Sequence, residues 1–182
     1  MRIYTIDGVN AVQAATASLD DAIAGLEYDT TPPVVTYTGN AGSYTVDQTI
    51  AIHCAASDPS PGSGIASTTC ADVNGPAYSF SLGSHTYTAS AVDVAGNVGS
   101  GATTFDVTVT FTSLENLVQR FSTDPDVTAG LNDKLDAAAG STNKAARDKQ
   151  LQAFVYEVNA QTGKALTTAQ AQILISLGQA LR

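Results

Sequence analysis

The feature that most constrains this sequence is a change in the period of its apolar residues close to Phe111. Upstream of that point, apolar and polar residues alternate in short runs, as in TIAIHCAAS at 49–57 and ATTFDVTVTF at 102–111. Alternation with a period of two is typical of half-buried strands, whereas spacings of three and four are typical of amphipathic helices. We therefore predict a strand-rich region that is followed by a helical region.

The alternating region contains six or seven short runs separated by turn-forming clusters, a spacing typical of an antiparallel sandwich. In the run that begins at His85, the residues Tyr87, Ala89 and Ala91 share one face. We expect Tyr87 to enter the core with its hydroxyl on a nearby backbone group, and the two alanines to allow a close approach of the facing sheet. Gly96 and Asn97, in the loop that follows, suit a positive φ.

The helical region predicts four short helices joined by short links. We expect Ser113 to cap the first helix, Pro125 to open the second and Gly140 to follow its end. Thr167 and Gln170 have the spacing of a capping box at the start of the last helix.

The predicted fold class is a two-domain chain, with an all-β immunoglobulin-like sandwich at 29–111 and a small all-α four-helix bundle at 112–182. The paired prolines of DTTPPVV mark the start of the sandwich. Residues 1–28 are expected to be a connector or the tail of an upstream domain, so that the natural chain continues upstream. They contain apolar residues at helical spacing, namely Val12, Ala15, Leu19, Ile23 and Leu26.

Charge and composition narrow the functional classes. The formal net charge is −9, with 8 Lys and Arg residues, so the surface repels phosphate backbones and we expect no nucleic-acid partner. No apolar run approaches the length of roughly 20 residues that spans a bilayer. The start MRIYTIDGVN lacks the basic and apolar segments of a secretory signal. Charged residues make up only 14% of the chain, and this scarcity is typical of secreted β-rich modules.

The two cysteines, Cys54 and Cys70, are either unrelated buried thiols or a disulfide. A disulfide fits an extracellular setting and would add about 3 kcal/mol by constraining the unfolded chain. A zinc site is disfavoured, because His53 neighbours Cys54 on a predicted strand and the two side chains would point to opposite faces.

Four short segments of the strand-rich region resemble the bacterial immunoglobulin-like modules that are strung along secreted proteins. They are DTTPP at 29–33, ASD at 56–58, GSGIAS at 62–67 and AVDVAGN at 91–97. The resemblance implies the fold more than a function, because such modules serve as spacers, adhesin repeats and enzyme appendages.

The helical region resembles the FIVAR or FIMAH module found at the C-terminal ends of secreted bacterial proteins. The segments that carry the resemblance are LENLVQRF at 114–121, LNDKLDAA at 131–138 and LQAFVYEVNAQTGKALTTAQAQILI at 151–175. It implies a module that is appended to extracellular hydrolases and surface proteins.

The most concrete chemical hypothesis is a calcium site. Calcium prefers six to eight hard oxygen ligands, several of them carboxylates. In an immunoglobulin-like sandwich, Asp29, Asp58, Asp93 and Asn97 would gather at the end where the chain comes in, and a cation there would stiffen the joint with the preceding segment. The alternative is that these are turn-forming, solvated side chains. We expect no other cofactor.

We expect no catalytic site in this chain. Neither His53 nor His85 lies in a Gly-x-Ser-x-Gly or His-Glu-x-x-His motif. An enzyme would need a pocket that brings one of them to a carboxylate and a nucleophile.

The sequence therefore favours a non-catalytic accessory or spacer region of a secreted or cell-surface bacterial protein, which presents its helical end to a partner. The alternative is a carbohydrate-binding or cell-wall-binding appendage of an extracellular hydrolase. The partner would be a protein under the first hypothesis and a polysaccharide under the second. Neither hypothesis predicts an oligomeric state.

Overall fold

A computed structural model describes residues 29–182, so the expectations for residues 1–28 lie outside the described part. Strands come first, and they are β1 Val34–Thr38, β2 Ser43–Thr45, β3 Thr49–Ser57, β4 Ile65–Thr68, β5 Val73–Pro76, β6 Gly83–Asp93 and β7 Val98–Thr108. The helices follow, and they are α1 Phe111–Phe121, α2 Pro125–Ala139, α3 Lys144–Gln161 and α4 Thr168–Ala180. A single 3-10 turn, Ala77–Ser79, lies between β5 and β6.

The strands form two sheets, one with the order β1-β3-β5 and the other with the order β2-β7-β6-β4. The long hairpin of β6 and β7 pairs from Gly83↔Val107 to Val92↔Val98 and supplies the largest ladder. The expected all-antiparallel arrangement is wrong at one edge, because β2 pairs parallel with β7.

The two sheets approach each other closely where β1 lies against β7. A Cβ atom on Gly99 would collide with the carbonyl oxygen of Pro33, and one on Gly101 would collide with the carbonyl oxygen of Val35. The expected small residues on β6 are buried beside this contact, with Ala89 5% and Ala91 1% exposed. These four small residues let the backbones of the two sheets come together.

The predicted disulfide is confirmed. Cys54 on β3 is bonded to Cys70, which precedes β5, with their Cα atoms 5.5 Å apart. The bridge closes a loop with a sequence separation of 16 residues.

The helix boundaries follow the capping signals, with one correction. Asp124 caps α2 ahead of Pro125, Gly140 follows its end, and Thr167 forms the predicted capping box at the start of α4. The prediction of Ser113 as the cap of α1 is wrong. Thr110 is the cap, and Ser113 is the third helical residue, whose hydroxyl accepts a hydrogen bond from the Thr110 amide. The capping box here uses serine in place of the usual glutamate or glutamine.

The predicted fold class is also wrong. The described residues are 39% helical and 32% strand, with four helices and two sheets, rather than an all-β sandwich followed by a separate bundle. One continuous core joins strand residues such as Ile50 and Phe105 to helix residues such as Leu114, Phe154 and Leu174, all fully buried. A helical region of this size has a small core of its own, and here its apolar stripes join the core of the sheets.

The junction between strands and helices has an aromatic contact and a polar contact. The rings of Tyr78 and Phe121 meet edge to face with centroids 5.3 Å apart. The Asn116 amide donates a 2.7 Å hydrogen bond to Asp47 in the turn between β2 and β3. Burial pushes the pKa of Asp47 upward, but hydrogen bonds from Thr45 and Asn116 outweigh it and hold that pKa below its usual range. The core crosses the change from strand to helix between Thr108 and Phe111, and the division into units at 111 stays a prediction.

The sequence predicts a buried tyrosine with its hydroxyl on the backbone at Tyr87, whereas the structure has it at Tyr44. Tyr87 is half-buried and stacks on Phe105 with ring centroids 5.9 Å apart. Tyr44 is the buried tyrosine whose hydroxyl meets the backbone, where it accepts a hydrogen bond from the Ala41 amide at 2.9 Å.

Among residues 29–182, no helix combines the length and apolar character needed to cross a bilayer.

Candidate metal centre

Three carboxylates converge at the end of the sheets farthest from the helices. Asp29 precedes β1, Asp58 directly follows β3, and Asp93 is the last residue of β6. Each offers one oxygen atom, and the three atoms lie within 4.8 Å of one another. The fold thus brings together the three aspartates that the sequence analysis selected. We call this group the aspartate cluster.

Asp93 forms the buried floor of the cluster, with 2% of its surface exposed. The backbone N–H of Asn97 donates to its Oδ1 at 2.8 Å, and the Asn97 side-chain amide donates to its Oδ2 at 2.8 Å. That same amide nitrogen donates to the carbonyl oxygen of Asp29 at 3.0 Å. Asn97 therefore lies at the cluster as predicted, with its amide nitrogen bridging two of the aspartates.

Positive φ in this turn belongs to Gly96 alone, at 93°. The expectation of a positive φ at Asn97 is wrong, because among the described residues only glycines have that conformation. Asn97 continues in ordinary backbone geometry toward β7, and this directs its side chain back to Asp93.

Asp58 carries the one buried oxygen of the aspartate cluster that lacks a hydrogen-bond partner among the described residues. Its Oδ2 accepts a 2.6 Å hydrogen bond from the backbone N–H of Gly64. Its Oδ1 is buried, and within residues 29–182 it accepts no hydrogen bond. A buried polar atom without a partner costs free energy, and a bound cation would remove that cost.

The loop between β3 and β4 wraps closely around this carboxylate. A Cβ atom on Gly62 would lie 2.6 Å from Asp58 Oδ2 and 2.5 Å from the carbonyl oxygen of Pro59. The next residue, Ser63, donates its backbone N–H to Asp29 at 2.8 Å and accepts the Ala95 N–H on its hydroxyl at 3.0 Å. The sequence analysis included Gly62 and Ser63 only in the segment GSGIAS, which carries the immunoglobulin-like resemblance, and did not predict these contacts. The segment GSG, four residues after Asp58, is the signal that marks them.

Asp29 is held as a carboxylate. The backbone N–H of Ser63, followed by that of Thr31, donates to its oxygens, and these bonds hold the pKa of Asp29 below its usual range. A negative charge here lies next to two further carboxylates, and the mutual repulsion of like charges favours a cation between them.

The two histidines lie in different surroundings. His53 is exposed on β3, with its Nδ1 2.8 Å from Asp72 Oδ1. A hydrogen bond from the Cys54 amide, and then the nearby His53, hold the pKa of Asp72 below its usual range. His85 stacks on Phe105, and its Nε2 lies 2.7 Å from the carbonyl oxygen of Ser81. The absence of catalysis stays a prediction.

A second candidate site is a groove between the strands and α4. It has a volume of about 600 Å³ and is lined on one side by Tyr78 and residues 80–82 and on the other by α4. Tyr78, Phe80 and Leu82 face Ile173 and Leu177, with Ser81, Gln172 and Ser176 as polar groups. None of the described residues that line it carries a charge.

Comparison with known proteins finds no matching family model and no matching curated protein. The resemblances to immunoglobulin-like and FIVAR or FIMAH modules therefore stay predictions.

Proposed function

We propose that this chain is a non-catalytic spacer of a secreted or cell-surface bacterial protein, held rigid by its disulfide and by a calcium ion at the aspartate cluster. The observation that carries the proposal is the convergence of Asp29, Asp58 and Asp93, together with the buried Oδ1 of Asp58, which accepts no hydrogen bond from residues 29–182. Carboxylate oxygens in this number and density are ligands that calcium prefers. Water and backbone carbonyls would complete its coordination.

The position of the cluster gives the ion a mechanical role. Asp29 is the point where the preceding chain reaches the sheets, whereas Asp58 and Asp93 belong to loops of the folded part. A cation shared by all three would restrict the angle at which the preceding segment leaves. Rigidity at this joint would set the direction in which the protein projects its helical end toward a partner.

The disulfide supports the extracellular setting. Disulfides persist in oxidising environments and are rare in reducing ones. The bridge between Cys54 and Cys70 joins β3 to the segment before β5, on the same strand that leads into Asp58.

Calcium binding is tested by isothermal calorimetry and by thermal unfolding in calcium or EDTA. At a calcium concentration 100-fold above Kd, we expect the melting temperature to rise by about 5 to 10 °C, from a linkage term of about 2.7 kcal/mol. Asp58→Asn should abolish the rise. Asp133→Asn removes an exposed carboxylate on α2 and is the matched control, which should retain it. An identical melting temperature in calcium and EDTA for the unaltered chain would contradict the proposal.

A carbohydrate-binding appendage is the second candidate, and the groove beside α4 favours it. Its aromatic rings offer faces for a sugar ring, and its hydroxyl and amide groups offer hydrogen bonds to a neutral ligand. Retention on a panel of neutral polysaccharides should fall with Gln172→Ala in the groove, whereas Gln179→Ala on the same helix serves as the control. Absence of retention on every glycan would reject this candidate.

A further inference from the structure

The disulfide closes the part of the chain that carries Asp58. Cys54 lies on β3 and Cys70 follows β4, and between them run the turn after β3 and the whole of β4. Asp58 lies within this closed loop, whereas the other two residues of the aspartate cluster lie outside it. We call residues 58–70 the crossing segment, because they pass from the sheet of β3 to the outer edge of the other sheet.

Few contacts hold the crossing segment in place. β4 has four residues, none of them buried, and it is the outer strand of its sheet, paired with β6 through a ladder that contains a register shift. The turn ahead of β4 is tied to the turn after β6 by the Val94 N–H, which donates to the Gly64 carbonyl at 2.9 Å, and by the hydrogen bond to the Ser63 hydroxyl. A short, exposed edge strand is among the parts of a fold that open most easily.

The core beneath the crossing segment is small. It is a second, minor cluster of four buried side chains, against which Cys70 packs, and its members are Val35, Cys54, Ala89 and Ala91. Two of the four are alanines, so the valine and the disulfide sulfur atoms supply most of its bulk. The disulfide is therefore both the covalent link and a large part of the apolar contact between the crossing segment and β3.

Beyond the disulfide, the chain is fixed again by contacts that do not need the bridge. The Cys54 backbone N–H donates to Asp72 Oδ1 at 2.8 Å, and the Nδ1 of His53 lies 2.8 Å from the same oxygen. The next residues form β5, which pairs with β3. Loss of the bridge would therefore free the crossing segment and leave the chain held from Asp72 onward.

We propose that the bridge between Cys54 and Cys70 controls the order of the crossing segment, so that its reduction opens this segment and disperses the aspartate cluster while the rest of the fold stays intact. The reductant is a dithiol such as dithiothreitol. It gives up two electrons and two protons and closes to its own cyclic disulfide, and Cys54 and Cys70 become thiols. Cys70 is half-buried, so the bridge is open to attack by a thiolate.

The bridge also controls the cation, and this part rests on the proposed function. An open crossing segment removes Asp58 from the cluster, together with the Ser63 N–H that holds Asp29. The apparent calcium Kd then rises by the inverse of the fraction of molecules that stay closed, so one closed molecule in ten gives a rise of about tenfold. Linkage requires the reverse effect, in which saturating calcium makes reduction less favourable by the same factor. A tenfold change corresponds to about 30 mV for this two-electron couple.

Hydrogen exchange in EDTA tests the opening without any cation. Amides of the crossing segment should exchange at least about tenfold faster after reduction by dithiothreitol, whereas amides of α1 and β7 should keep their rates. The double variant Cys54→Ala/Cys70→Ala should behave as the reduced chain does, without the reductant. Equal exchange of residues 58–70 before and after reduction would overturn the proposal. A rise of similar size in α1 would also overturn it, because the whole chain would then open.

Calorimetry and equilibration with dithiothreitol test the coupling. Calcium should bind the reduced chain about tenfold more weakly than the oxidised chain, and saturating calcium should protect the bridge from reduction by the same factor. Asp58→Asn should lose this protection, and Asp133→Asn on α2 should keep it. If the reduced chain opens but the oxidised chain binds no calcium, the cation is contradicted and the opening stands. An equal Kd for the oxidised and reduced chains would overturn the control of the cluster by the bridge.

Discussion

Replacing Phe121 by alanine tests whether strands and helices share one core. Phe121 closes α1, is 8% exposed, and meets Tyr78 edge to face at 5.3 Å. Removing a buried phenylalanine costs about 3 to 5 kcal/mol, of which the edge-to-face contact supplies about 1 kcal/mol. We expect a loss near the lower limit, about 3 kcal/mol, because the ring is at the rim of the core.

Two spectroscopic signals can follow the two parts of the chain during urea unfolding. The chain has no tryptophan, so its emission comes from tyrosines. Among the described tyrosines, Tyr37, Tyr44 and Tyr87 lie on strands, whereas Tyr156 lies on α3, so the comparison is best made in a Tyr156→Ala background. Ellipticity at 222 nm reports mainly on the helices. A shared core predicts that Phe121→Ala moves both transitions to the same lower urea concentration, since a cooperative unit unfolds as a whole.

Separate cores would give a different result. The ellipticity transition would then move alone, and the tyrosine transition would stay where it is in the unaltered chain. Tyr156→Ala is the control, because this side chain on α3 is 67% exposed and its removal should change the free energy of unfolding by less than about 0.5 kcal/mol. A shift of the ellipticity alone in Phe121→Ala would refute the continuous core.

Three further perturbations test other parts of the fold. Replacing Cys54 and Cys70 together by serine should lower the free energy of unfolding by about 3 kcal/mol, as expected for a sequence separation of 16 residues. Urea unfolding of this variant and of the oxidised protein measures the difference. An unchanged free energy of unfolding would show that the disulfide does not constrain the unfolded chain. Burial, and then the charge of Asp136, raise the pKa of Glu115 in the folded chain. The ionised form of Glu115 therefore lowers the free energy of unfolding at pH values above this raised pKa. At pH values below the usual pKa of a glutamate, the side chain is protonated in both the folded and the unfolded chain and has no such effect. Glu115→Gln should therefore stabilise the chain at pH 7 and leave it unchanged at pH 3, and equal effects at both values would contradict this. Gly99→Ala should cost more than about 2 kcal/mol because its Cβ would collide with backbone of β1, whereas a neutral result in thermal unfolding would mean that the sheets are farther apart than described.

Local periodicity predicted the elements but not their assembly. The alternation at 49–57 became β3, and the spacing of Leu114, Leu117 and Val118 became the buried side of α1. Whether two sets of apolar residues share a core depends on contacts between distant residues, such as Tyr78 with Phe121. The period of the apolar residues along the sequence carries no information on which distant residues are in contact. The prediction of a separate sandwich and bundle was wrong for that reason. The parallel pairing of β2 was missed similarly, because three residues are too few to define a partner.

The candidate site was more accessible to sequence reasoning than the assembly of the core. Asp58 follows β3 and Asp93 ends β6, and the resemblance to an immunoglobulin-like sandwich placed the loops after these strands at one end. The parts that escaped prediction depend on the path of the loop. Gly62 matters because the backbone folds back onto Asp58, and the bridging amide of Asn97 depends on the turn geometry at Gly96. Residue type and the expected loop positions of an immunoglobulin-like sandwich indicated an acidic cluster, whereas its hydrogen-bond donors depend on the detailed path of the loops.

The length of the central hairpin separates the two ends of the molecule. Asp93 ends β6, and the helices begin just after the opposite end of β7, while the two antiparallel strands span 11 residues each. At a rise of about 3.3 Å per residue, the aspartate cluster and the start of α1 are roughly 30 Å apart. Charges at that distance lie well beyond the Debye length of about 8 Å at physiological salt, so the proposed cation would have little effect on the charges of the helices. The helical end is held instead by the shared core around Phe105 and Leu114. The proposed spacer function needs both joints fixed, and the proposed cation and the shared core would fix them by different kinds of interaction.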